Sequence, residues 1–241
     1  ETRGGVLVGL FKTEKVYATT GTFYPDTNPT ETTTVDGDLR NQPGDTSFST
    51  IRDALTSTSA QNSAGTGISW GVLQCGSSAN TYSDMTRGIA TFNTAPLTVS
   101  ATILSAVFSG YGDYFLQDLG TLTVHVAGVT SLASEINLST ADYNKIQRVS
   151  FSSQTGLSTG GYIDFSFNAN GLAYISKTSI TRLSGQTSWD INNSNPSCAG
   201  GSVRSIWQIK NAETAGASQD PKLVVTYTLP ANPKQDVIWF D

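Results

Sequence analysis

The sequence predicts an all-β fold: an antiparallel β-sandwich of jelly-roll type, with at most one or two short helices. Three observations predict it. Apolar residues recur with a period of two through most of the 241-residue chain. Clusters of Gly, Asn, Ser and Pro separate these stretches at regular spacing. Patterns of helical period are scarce and short. The composition agrees: charged residues make up 14%, against roughly 25% in an average soluble domain. Ser, Thr, Gly and Asn fill the difference, as suits a protein with many turns and neutral polar faces.

The strand-like stretches run in order Ile68–Leu73, Ile103–Phe108, Thr121–Ala127, Val149–Ser152, Tyr162–Phe167, Val203–Ile209 and Lys222–Leu229. Within them the alternation assigns faces. Leu122, Val124 and Val126 point one way, Thr123 and His125 the other. Ile163, Phe165 and Phe167 share a face. Leu223, Val225 and Tyr227 oppose Val224 and Thr226. Turn signals stand at 109–113, 156–161, 168–171 and 193–196. Two short helical turns are expected, one in Ser49–Leu55 with Ser49 as a capping residue, one near Asn170–Lys177. The domain plan is a strand or arm over residues 1–19, a β-sandwich over 20–229, and a linker with an apolar tail over 230–241. Pro230 and Pro233 mark the linker.

Several function classes are excluded at this stage. The net charge is −5 and no Lys/Arg cluster occurs, so no basic stripe is available for phosphates and no nucleic-acid partner is expected. No apolar run approaches the length of a membrane span. One histidine, His125, would have to serve any Ser-His-Asp or Cys-His arrangement. It sits mid-strand on a polar face, and one His with two distant Cys cannot supply a zinc site. Cys75 and Cys198 could form one disulfide closing about 120 residues, or remain two buried thiols. The extracellular-type composition favours the bridge.

The remaining candidates are binding groups. Tyr111, Tyr114 and Phe115 lie in the Gly-flanked stretch Gly110–Phe115, read as a loop offering an aromatic contact surface. Asp36 and Asp38, with Asp26 and Asp45, gather hard oxygen ligands in a loop-rich region; Asp26, Asp36 and Asp38 are the candidates for a structural Ca²⁺, and no other cofactor is expected. Trp70 and Trp207 read as core. Asp113, Asp118, Glu135 and Asp164 are the carboxylates from which a glycosidase pair would be drawn. Val6, Val8 and Leu10 form an apolar strand near one end. Val237, Ile238, Trp239 and Phe240 form an apolar tail near the other, and both are candidate assembly segments.

A set of local patterns, taken in order, resembles the DNRLRE-type β-sandwich domain of extracellular, surface and phage-encoded proteins. They are Thr22-Phe-Tyr-Pro-Asp26, Thr34-Val-Asp-Gly37, Phe48-Ser-Thr-Ile-Arg52, Arg87-Gly-Ile-Ala-Thr-Phe-Asn-Thr94 with Leu97 and Ala101–Ala106, then Ile175-Ser-Lys177, Arg182, Asp190, Glu213 and Gly216–Tyr227. Asn93 stands where that family usually has Asp. The resemblance covers residues 20–229. It implies a β-sandwich with a non-catalytic role, and some members bind acidic polysaccharides; no binding residues carry over.

The expected function is therefore a non-enzymatic structural module, extracellular or on a cell or virion surface, that joins other copies or other subunits through its apolar ends. A carbohydrate-binding or adhesion module for acidic polysaccharide is the alternative. A glycoside hydrolase or lyase is the third class, supported only by generic acids.

Overall fold

A computed structural model of the chain describes residues 16–26, 32–62, 67–213 and 218–230. The elements are β1 (Ala18–Phe23), β2 (Asp36–Asn41), α1 (Phe48–Arg52), β3 (Ser59–Asn62), β4 (Ile68–Cys75), β5 (Tyr82–Asn93), β6 (Thr102–Gln117), β7 (Val124–Val129), β8 (Ile146–Gln154), β9 (Tyr162–Ser166), α2 (Ala169–Tyr174), β10 (Ile180–Thr187), α3 (Ser188–Asn192), β11 (Arg204–Ile209) and β12 (Lys222–Thr228). All ladders are antiparallel, and the all-β expectation holds. Helix α1 starts one residue before the expected Ser49, because Ser47 is its cap and accepts a hydrogen bond from the Thr50 amide.

Two long strands curl the sheet into a sandwich by taking two neighbours end to end along one edge. Along β5, β4 pairs with residues 82–87 and β10 with 88–93, while β2 holds the other edge. Along β6, β12 pairs with residues 102–109 and β11 with 112–117. Strand β9 holds the opposite edge of β6, continued by hydrogen bonds between Gly112 and residues 160–161. One layer is thus β1-β12-β6-β9. The other runs from the second half of β6 through β11, β4, β5, β10 and β7 to β8.

Strand β6 corrects the reading of residues 109–113 as a turn. Its glycines are there for close approach. A Cβ on Gly112 would lie 2.0 Å from the Ser158 carbonyl oxygen, and one on Gly110 would lie 2.8 Å from Ile209. The strand bends at a β-bulge: Ile209 faces Gly112 but Gln208 faces Tyr114, leaving Asp113 as the extra residue.

The main core fills the space between the layers. Trp70 is the extra residue of another bulge, in β4 opposite Trp207 and Gln208. Its ring stacks on Phe108 at 4.6 Å between centroids, tilted 14°. Phe92 and Phe165 close on Phe108 from other sides. Trp207, Ile209, Val124, Val126, Leu183, Leu223 and Val225 complete the cluster. Each such side chain contributes about 1.5–3 kcal/mol on burial. The apolar faces expected of the strands containing Val124, Phe165 and Val225 are those that point inward, and both Trp70 and Trp207 are core.

The second face of the larger layer is also covered. Here Met85 and Ile89 of β5 belong to two smaller apolar clusters, and Arg87 stands between them, fully buried. Its guanidinium grips Asp190 of α3 with two bonds, Nε–Oδ2 2.6 Å and Nη2–Oδ1 2.9 Å. It also donates to the carbonyls of Arg52 (2.8 Å) and Tyr143 (3.1 Å), and lies 3.9 Å from the centre of the Tyr143 ring. Burial alone would lower the Arg87 pKa; the Asp190 carboxylate outweighs it and holds the arginine above its ordinary value. Arg52 and Arg148 approach the same carboxylate at 3.6 and 3.5 Å, and Asp53 pairs with both of them.

Cys75, at the end of β4, and Cys198, in the loop before β11, form a buried disulfide spanning 123 residues, with Cα atoms 5.6 Å apart. The Cys198 carbonyl accepts from the Asn80 amide, so the bridge pins two loops at once.

Two outcomes follow from this packing. Arg87→Met and Asp190→Ala are each expected to lower the unfolding free energy by about 3–5 kcal/mol, because each strands a buried charge. In a urea-denaturation cycle the double variant should cost clearly less than the two singles combined; strict additivity would show that the pair does not act as a unit. Replacing Cys75 and Cys198 together by Ala should cost about 5 kcal/mol on the chain-entropy model, and an unshifted denaturation midpoint would rule out that contribution.

Candidate functional site

The outer face of the smaller layer collects a row of functional groups by register. On β6, Ala106 and Phe108 point into the core, so Ser109 and Tyr111 point out. On β9, Phe165 points in, leaving Tyr162 and Asp164 outside. Lys222 of β12 pairs with Ser109, and Ser109 with Asp164. The Ser109 hydroxyl donates to Asp164 Oδ1 at 2.6 Å. One row further on, Tyr111 pairs with Tyr162, and their rings meet edge to face at 5.3 Å and 88°. Lys222 Nζ lies 3.9 Å from the centre of the Tyr162 ring. Tyr24, which follows β1 opposite Lys222, completes the patch and is exposed.

The tyrosine hydroxyl at the centre is tied down. Tyr162 Oη donates toward the carbonyls of Asp220 (2.9 Å) and Ser218 (3.2 Å). Burial, with Tyr24, Asp220 and Tyr111 close by, pushes its pKa up to about 12, so it remains a donor at all ordinary pH. Asp220 is itself buried, and burial followed by the nearby Glu213 carboxylate pushes it up to about 6. The patch therefore offers aromatic faces and edges, one amine and one exposed carboxylate on neighbouring positions of three strands.

The structure divides the three aromatics proposed from sequence. They lie on a strand, not in a loop. Tyr111 belongs to the patch. The bulge at Asp113 shifts the alternation, so Phe115 turns inward and packs against the core. Tyr114 turns outward beyond the bulge, exposed, with the Arg204 guanidinium 6.0 Å from its ring centre. Tyr24, Tyr162, Lys222 and Asp220 were not singled out by sequence. The polar-face position of Tyr162 was legible, but its partnership with Tyr111 depends on the β6–β9 register.

The three carboxylates proposed for Ca²⁺ are not brought together. Asp26 Oδ2 accepts from the amides of Thr32, Thr33 and Thr34 at 2.8–3.2 Å. Burial works against ionisation there, but these bonds prevail and hold the carboxyl below its usual range. Asp36 is buried and accepts from the Ala212 amide, and Asp38 accepts from the Ser69 amide. Burial raises Asp38. Among the described residues no three His, Cys, Asp or Glu side chains form a metal-ligand group. His125 bonds the Ser150 hydroxyl through Nδ1 at 2.8 Å, and burial lowers its pKa. The assembly candidates Val6, Val8, Leu10, Val237, Ile238, Trp239 and Phe240 lie outside the described residues. No helix among the described residues is long and apolar enough to cross a membrane.

The raised Asp220 gives a pH signature. Folded Asp220 binds its proton more tightly than the unfolded chain does, so it favours folding at low pH and loses that contribution as pH rises from about 4 to about 6. Asp220→Asn should match the parent in thermal midpoint at pH 4 and exceed it at pH 7. A difference that is the same at both values would rule out the assignment.

No family model matches the chain, and no curated protein does either.

Proposed function

We propose that this chain is a non-enzymatic extracellular or surface-borne module that works by contact, and that its outer tyrosine face takes an acidic polysaccharide. The observation that carries the reading is the grouping of Tyr24, Tyr111 and Tyr162 with Lys222 on one sheet face, Tyr24 exposed and the other three half-buried. Aromatic rings pack against the apolar C–H faces of sugar rings, and an amine among them matches a uronate or sulfate group. The buried disulfide suits an oxidising compartment. The resemblance to DNRLRE-type domains points the same way.

Three of the four carboxylates that a hydrolase reading would use have other attachments. Lys210 pairs with Asp113 at 2.5 Å, Ser109 donates to Asp164, and Arg182 forks onto Glu135. That supports a non-catalytic role.

One observation favours assembly with other subunits as a second reading. Ala18 pairs with Thr228, so the segments flanking the sandwich leave from the same pole. Beside them β1 has no second neighbour among the described strands, which leaves an edge for an added strand.

Retention on immobilised polygalacturonate tests the first reading. Tyr162→Ala or Tyr111→Ala should weaken binding by about tenfold, on the scale of one lost aromatic contact. Lys222→Ala should remove most of its salt dependence, and Tyr114→Ala should leave binding unchanged. Equal retention of all four variants, with near-ultraviolet circular dichroism showing them folded, would overturn it.

A further inference from the structure

Between the start of β6 and helix α2 a cleft of about 330 Å³ opens, at the small end of the range for ligand sites. Its walls are aliphatic: Ala101 and Ile103 on the strand side, Leu172, Ala173 and Ile175 on the helix side. The main core backs it. Ala101 and Ile175 belong to that core, and Ile103 and Leu172 pack against it. Helix α2 is itself held in place. Its cap Asn168 accepts from the Gly171 amide at 3.1 Å. A Cβ on Gly171 would lie 2.8 Å from Phe151 and 2.9 Å from Phe167, so the helix backbone rests directly on those two side chains. The cleft is therefore formed before any ligand enters it.

Its chemistry differs from that of the tyrosine face. No aromatic ring lines it. Tyr174, between Ala173 and Ile175, turns instead to β7, where its hydroxyl donates to the Val129 carbonyl at 2.5 Å. A sugar ring has nothing to stack on here. No acidic side chain lines the cleft either, and one cation does. Lys177 Nζ donates to the Ala101 carbonyl at 2.9 Å. The segment that carries it is tied down: the Ser176 amide donates to Thr181 Oγ1 and the Ser179 amide to Ser176 Oγ, both at 3.0 Å. A surface lysine ordinarily extends its head into water. This one is half-buried and fixed at the cleft. It keeps two N–H groups to give, and it forms no ion pair among the described residues.

A neutral ligand would leave that charge unanswered, and a cation would be repelled by it. A polyanion would gain nothing from the aliphatic walls. We propose that the cleft binds a free aliphatic carboxylate, with its head group on Lys177 and its hydrocarbon tail along Ile103, Leu172 and Ile175. The site stands at the start of β6, away from Tyr111, and is independent of the polysaccharide reading.

Calorimetric titration of the full chain with decanoate, kept below micelle-forming concentrations, tests it. Binding should be one to one. It should tighten about tenfold for each pair of methylenes from hexanoate through octanoate to decanoate. Lys177→Gln should weaken decanoate binding about tenfold, on the scale of one charged hydrogen bond, and Lys177→Arg should keep most of it. Ala173→Trp, at an exposed position, should fill the cleft and abolish binding, with near-ultraviolet circular dichroism confirming the fold. Decylammonium, of the same length and opposite charge, should bind at least about tenfold more weakly than decanoate. No binding of decanoate by the parent would overturn the proposal. So would unchanged binding in Lys177→Gln or in folded Ala173→Trp, and so would equal binding of decanoate and decylammonium, which would mark mere adsorption to apolar surface.

Discussion

The Asp190 carboxylate is the point on which the architecture converges. It holds Arg87 by two short bonds and draws Arg52 and Arg148 to within 3.6 Å. Its backbone carbonyl also accepts from Arg52 Nε at 2.7 Å. The groups involved come from α1, β5, β8, α3 and the 3-10 turn Thr140–Lys145, so one carboxylate ties five parts of the chain. Burying charges is costly, and the cost is met only where every donor finds an acceptor. Arg87 comes close to that condition: four of its five N–H groups are bonded, two to Asp190 and two to backbone carbonyls, and its guanidinium lies over the Tyr143 ring. A hydrophobic substitute could match the stability, but it would not fix the mutual placement of the five elements in the same way.

That network determines which sheet face stays available. It lies on the second side of the larger layer, where α1, the 3-10 turn and the loops around Cys198 seal Met85, Arg87 and Ile89 from water. Both faces of β5 are consequently buried. Among the described residues no such cover lies on the outer side of the smaller layer around Tyr111 and Tyr162, and the polar residues of β6, β9 and β12 stand there in register. The tyrosine patch is thus the surface that remains once the charge network has used the other face.

The same contrast explains what could be read from sequence. Strands β7, β9 and β12 have one dry and one wet face, so their period of two was plain and their inward residues were assigned correctly. Strand β5 is dry on both sides and shows no alternation; Arg87–Thr94 was recognisable only as a motif, and Asp190 only as an isolated match. Their pairing joins residues 103 positions apart, and no local pattern carries that. Glycines 110 and 112 signalled a turn because sequence cannot distinguish glycine needed for a bend from glycine needed for close approach. The same error put Tyr111, Tyr114 and Phe115 in one exposed group, when strand alternation sends Tyr114 and Phe115 to opposite faces and the bulge residue decides that Phe115 is the one inside. Trp70 and Trp207 were assigned correctly because large rings in apolar strands have few other places to go.

On the proposed reading the two ends of the smaller layer serve different tasks. The tyrosine patch stands at the end of β6 near Tyr111, and the pole with Ala18, Thr102 and Thr228 at the other, nine residues or about 30 Å away along the strand. Because β1 and β12 are antiparallel neighbours, the flanking segments both depart from the second pole. A body attached at the pole with Ala18 and Thr228 would leave the tyrosine face pointing away from it. Conversely, a ligand on the tyrosine face would not compete with contacts at the pole. This separation follows from one choice of topology, the antiparallel placement of β1 beside β12, and it makes binding at one end compatible with attachment at the other.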